Sequence, residues 1–72
     1  MWIRSQDRKG LFNANRITTM GTLQNKIRII NWDVAEYDTL GEYETEERAI
    51  EVLDEIQAQE EWTSPVYDMP KK

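Results

Sequence analysis

Cysteine and histidine are both absent from this chain of 72 residues, and the two absences remove whole classes of chemistry. Without cysteine there is no disulfide framework and no thiolate metal site. Without histidine the commonest general base, the commonest metal ligand and every Ser-His or Cys-His nucleophile are gone. Glycine is scarce too. Gly10, Gly21 and Gly41 stand alone and far apart, so no glycine-rich phosphate loop can form. No apolar run approaches the ~18 residues of a membrane span, and Met1-Trp2-Ile3-Arg4-Ser5 lacks the apolar segment of a secretory signal. The cytoplasm is the expected location. Carboxylates remain plentiful, and a buried pair can do acid-base work, but so small a chain offers little cleft to bury one in. The expectation is a protein without catalysis, cofactor or metal.

The chain is shorter than the usual domain of about 100 to 150 residues and has room for one core, so residues 1–72 read as a single domain. A chain of this size buries only about 60% of the surface its unfolded form exposes. Marginal stability follows, which self-association would relieve, so a homo-oligomer is expected. The net charge of −5 is divided unevenly along the sequence. Residues 1–32 carry six cations against Asp7 alone, and residues 33–72 carry three cations against thirteen carboxylates. The halves are expected to attract each other within the fold, since small domains commonly intersperse both signs.

Along the chain, residues 1–44 read mostly as strands. Met1 to Ser5 alternates apolar and polar residues, Gln6 to Gly10 follows as a turn, and Leu11 to Thr18 continues a hairpin. Thr19 to Asn25 reads as loop. Lys26 to Trp32, with Ile27, Ile29 and Ile30, is the clearest strand because β-branched side chains favour a pleated sheet. Asn31 to Asp38 reads as loop, and Thr39 to Glu44 as a short strand in which Gly41 marks a bulge or a close contact. Thr45 then caps a helix from about Glu46 to about Gln59, with Glu46 and Glu47 in its first turn. Ala49, Val52, Leu53 and Ile56 form its apolar stripe, flanked by Ile50. Thr63-Ser64-Pro65 stops the helix, and Val66 to Met69 forms a tail or a short last strand. The predicted fold is α+β: an antiparallel meander of three or four strands, with one C-terminal helix packed on one face.

Two surfaces stand out. In a simple alternating reading, Ile3, Leu11, Ile17, Ile27 and Ile29 share the face under the helix. Trp2, Arg4 and Phe12 then point the other way, together with Arg16, Arg28, Ile30 and Trp32. Aromatics interleaved with arginines resemble the stacking platforms of single-stranded nucleic-acid binders. An acidic net charge and the lack of an RNP-type consensus favour instead Trp and Arg stacking on each other across strands, or a cover of protein: a second subunit, or the tail through Trp62, Tyr67 and Met69. The second surface is acidic. Glu47, Glu51 and Glu55 recur at i, i+4, a spacing that destabilises a helix by about 0.2 to 0.5 kcal/mol per pair. Glu60 and Glu61 also oppose the helix dipole. Neutralisation by the basic half of the chain, or simple solvation, is the expected explanation, with a basic partner docking on Glu47, Glu51 and Glu55 as the alternative. Asp33, Glu36 and Asp38 offer oxygen ligands for a hard cation, but their spacing does not match a calcium loop, and Asp is an ordinary turn residue.

The opening Met1-Trp2-Ile3-Arg4-Ser5-Gln6-Asp7-Arg8-Lys9, the segment from Leu40 to Ala49 with Val52-Leu53-Asp54-Glu55-Ile56, and the close Val66-Tyr67-Asp68-Met69-Pro70 resemble a group of short uncharacterised proteins. These belong to low-GC Gram-positive bacteria and to their phages and mobile elements. The resemblance covers both ends and the helix, while residues 18–37 diverge. It implies a cytosolic accessory protein, with no activity, cofactor or catalytic residue to carry over. The function expected is a non-catalytic protein-interaction module, with single-stranded nucleic-acid binding as the alternative.

Overall fold

The structure is a computed structural model describing residues 1–59 and 65–72. It is an α+β fold in the order β1 (Trp2–Arg4), β2 (Leu11–Asn13), β3 (Ile17–Gly21), β4 (Ile27–Asp33), β5 (Glu36–Tyr43), α1 (Glu46–Ala58) and β6 (Val66–Asp68). The strands form two sheets, β2-β1-β6 and β3-β4-β5. The meander of the sequence reading is therefore β3-β4-β5. The N-terminal hairpin does not extend it but pairs instead with the last strand, β6 lying parallel to β1. Pro65 precedes β6, while the expected Thr63-Ser64 stop, Glu60, Glu61 and Trp62 lie outside the described residues.

Two segments read as loop are partly strand. Thr19 to Gly21 lies within β3, and Trp32, Asp33 and Glu36 to Asp38 lie within β4 and β5. Their turn-forming residues are overridden by ladder pairing to the isoleucine-rich centre of β4, which has a neighbour on each side. True turn chemistry is confined to short stretches. Asn25 takes a left-handed φ of 63° between β3 and β4, a conformation asparagine tolerates. Asp7 accepts from the Ser5 hydroxyl at 2.6 Å and from the Lys9 amide at 2.9 Å, and those bonds hold its carboxyl below the usual range.

The antiparallel register corrects the phase of β2. Ile3 pairs with Phe12, and Arg4 with Leu11, so Phe12 shares the inward face of Ile3 while Leu11 is exposed. Gly10 permits this arrangement, because a Cβ there would meet the Phe12 ring at 2.5 Å. In β5, Gly41 pairs with Ile29 and Thr39 with Ile30, leaving Leu40 as the extra residue of a bulge. Leu40 enters the core at 1% exposure, and a Cβ on Gly41 would lie 3.1 Å from the Met69 methyl.

Ala49, Val52 and Ile56 of the helix are buried against Ile29, Leu40 and Tyr43 of the meander and Ile3 and Tyr67 of the other sheet. Leu53 is partly buried at the margin of that core, and Ile50 is exposed. Thr45 caps α1 as its sequence position predicts, its hydroxyl accepting from the Arg48 amide at 3.1 Å. Among the described residues no helix is long and apolar enough to cross a membrane.

Candidate interaction surface

Residues paired across a ladder share a face, which fixes the outer side of the meander. Arg28 sits between Met20 and Glu42, Ile30 between Thr18 and Thr39, and Trp32 faces Tyr37. Arg28 Nε meets Glu42 Oε1 at 3.1 Å. Trp32 and Tyr37 stack edge to face with centroids 5.5 Å apart, and they remain 39% and 42% exposed. Between these two pairs Ile30 is 1% exposed, so it is a support for the face and not a contact residue.

The seven residues expected to form one patch are thus divided. Arg28, Ile30 and Trp32 belong to the meander. Arg16 adjoins them, exposed, with its carbonyl accepting from the Trp32 amide at 2.9 Å. Trp2 and Arg4 lie on the outer face of the other sheet, and Phe12 is turned inward against the core. Of the tail residues expected to fold across the sheet, Tyr67 and Met69 are buried on the core side, and Trp62 lies outside the described residues. Two of the arginines are already engaged. Arg28 is paired with Glu42, and Arg4 Nη1 donates to the Arg8 carbonyl at 3.3 Å.

The far end of the meander is the feature that sequence reasoning missed. Asp33 pairs with Glu36, so only Val34 and Ala35 form the β4–β5 turn. Val34 is fully exposed with φ of 37°. A β-branched side chain with positive φ is strained, and Gly, Asn or Asp ordinarily takes such a place. Asp33, Glu36 and Asp38 surround this tip, all exposed, and line a hollow of about 330 Å³ with Val34 and Ala35. Among the described residues no three such groups gather to hold a metal ion. The only signal in the sequence was Val34-Ala35 where a turn former was due.

The acidic helix face is partly offset by a cation of its own helix. Arg48 Nη1 lies 3.2 Å from Glu51 and 3.7 Å from Glu55, and the Tyr67 hydroxyl donates to Glu55 at 2.6 Å. Arg48 also lies over the Tyr43 ring, 6.0 Å from its centroid. Among the described residues, the ion pairs of Glu51 and Glu55 come from this cation on the same helix and not from the basic half of the chain. Glu47 is exposed and has no ion pair among the described residues. A cleft of about 470 Å³ beside Arg48, Tyr43, Lys71 and Lys72 is also lined by Glu42 and Glu44, so its wall carries both signs of charge.

Comparison with family models, with curated proteins and with solved structures finds no match to this chain, so its function has to be argued from these surfaces.

Proposed function

We propose that this chain is a non-catalytic protein-interaction module whose contact surface is the β4–β5 end of the meander. The observation that carries the reading is the exposed Trp32–Tyr37 pair next to a fully exposed, strained Val34. Aromatic anchors of this kind dominate protein interfaces, and local folding gives no reason to place valine at a solvated turn. The carboxylates of Asp33, Glu36 and Asp38 around the tip fit a partner with an apolar pocket rimmed by lysine or arginine. The same carboxylates oppose a phosphate backbone, and Arg28 and Arg4 are already occupied, which weighs against a nucleic-acid platform. An accessory role in a Gram-positive bacterium or its phage, as the resemblance of both ends and the helix implies, needs no more chemistry than this.

The test is affinity capture from a Gram-positive host lysate with the native chain and with a Trp32→Ser, Val34→Asp variant in parallel. A partner retained by the native chain and lost by the folded variant supports the reading. Equal recovery by both would place the contact elsewhere, and salt-dependent binding of a single-stranded oligonucleotide would replace the reading with the nucleic-acid one.

A further inference from the structure

The two edges of the meander are treated differently. The β5 edge carries Glu36, Asp38 and Glu42, is bent by the bulge at Leu40, and is closed along part of its length by Gln6, whose amide donates to the Leu40 carbonyl at 2.7 Å. Charge, bulges and coverage are the usual means of keeping a strand edge from pairing. The β3 edge, Ile17-Thr18-Thr19-Met20-Gly21, has none of them: no charge, no proline, no bulge and no covering segment among the described residues.

The ladder shows which groups on that edge are open. Trp32 N donates to Arg16 O and Thr22 N donates to Lys26 O, each at 2.9 Å. Antiparallel bonding alternates from these two fixed points, so Thr18 and Met20 bond inward to β4. Ile17, Thr19 and Gly21 turn their N–H and C=O groups outward. At Gly21 the surroundings are open, with nothing within 4 Å of where a Cβ would stand.

We infer that this edge pairs antiparallel with the β3 of a second copy about a two-fold axis at Thr19, joining two meanders into one continuous sheet. The occupant follows from self-complementarity. With Thr19 opposite Thr19 of the second copy, Ile17 meets Gly21 and Gly21 meets Ile17. All three outward-facing residues then fall at hydrogen-bonded positions, each pair exchanging both of its backbone bonds. No charged residue lies opposite a like charge in this register, since Arg16 meets Thr22. On the outer face Thr18 meets Met20, so the outer faces of the two meanders become one, with the two Trp32 side chains toward its opposite ends. A small chain also gains burial from such pairing. The inference does not rest on the hairpin-tip reading, because β3 and the β4–β5 turn are separate surfaces.

Hydrogen exchange followed by NMR, with sedimentation equilibrium from micromolar to millimolar concentration, tests it. In the dimer the amides of Ile17, Thr19 and Gly21 become protected as concentration rises, whereas those of Thr18 and Met20 are protected throughout. Thr19→Pro removes one outward N–H, which an edge strand tolerates, and is expected to give a folded monomer. A monomer across the whole range, a dimer whose three outward amides still exchange fast, or a Thr19→Pro dimer would each overturn the inference. If Thr19→Pro fails to fold, the exchange pattern of the native chain decides alone.

Discussion

Gln6 bonds both backbone groups of Glu42: its Oε1 accepts from the Glu42 amide at 2.8 Å, and its Nε2 donates to the Glu42 carbonyl at 3.0 Å. A side-chain amide thus does for β5 what the peptide group of a neighbouring strand would do. The same Nε2 reaches the carbonyls of Pro70 at 3.1 Å and Lys71 at 2.9 Å. One residue in the turn after β1 therefore ties together the two sheets and the segment that follows β6.

Gln6→Ala leaves these partly buried groups without their partner and is expected to cost about 1 to 3 kcal/mol. Gln6→Glu keeps the shape and the acceptor but sets a carboxylate against three carbonyl oxygens. It should be at least as damaging at neutral pH and recover as the carboxyl protonates. Urea unfolding at two pH values checks the order. A Glu variant as stable as the native chain at neutral pH would mean that Gln6 only fills space.

The glycines divide by what surrounds them. Gly21 has open space and no positive φ, so Gly21→Ala is expected to stabilise by about 0.4 to 1 kcal/mol by restricting the unfolded chain. Gly10→Ala puts a methyl 2.5 Å from a ring carbon of Phe12, which is packed against the core, and is expected to destabilise by about 1 to 3 kcal/mol. Thermal melts of the two variants should move in opposite directions.

What was legible in the sequence was local. The helix start at Thr45, the apolar stripe and the isoleucine strand all follow from spacing and side-chain type, and all are present. What was not legible depends on pairing between distant segments. No local pattern shows that β6 lies parallel to β1, or that Asn31, buried mid-strand, accepts from the Asn15 and Arg16 amides at 3.2 Å each. The phase of β2 was misread because Leu11 and Phe12 are both apolar and only the register with β1 decides between them. The same limit split the expected surface. Alternation along one strand assigns faces within that strand, but not across two sheets.

Thr45→Ala is expected to cost about 1 kcal/mol through loss of the bond to the Arg48 amide. Leu53→Ala should cost less than the about 2 to 5 kcal/mol typical of a fully buried leucine, because Leu53 lies at the core margin. Ile29→Ala, at a position with 0% exposure, should reach that range. Chemical denaturation of the three variants tests the order. A Leu53 loss as large as that of Ile29 would contradict the packing described.

The two buried tyrosines predict the alkaline limit of the fold. Tyr43 donates its hydroxyl proton to the Pro70 carbonyl at 2.8 Å, and Tyr67 donates to Glu55 at 2.6 Å. A phenolate can make neither bond. Burial pushes Tyr43 from the ordinary 10.0 up to about 12, with Arg48 pulling it down in part. Burial and then the bond to the Glu55 carboxylate push Tyr67 up as well. Each group ionises later in the folded chain than in the unfolded one, so above about pH 10 the native state holds more protons. The stability tied to them is fully present below pH 10.0 and is lost as pH rises toward about 12 for Tyr43. Melting temperature should therefore be level as pH approaches 10 and then fall, with tyrosinate absorbance rising together with unfolding. Tyr43→Phe and Tyr67→Phe should each lower stability at neutral pH by removing a hydrogen bond, yet flatten the alkaline decline. A melting temperature that falls just as steeply in the double phenylalanine variant would trace the decline to other groups.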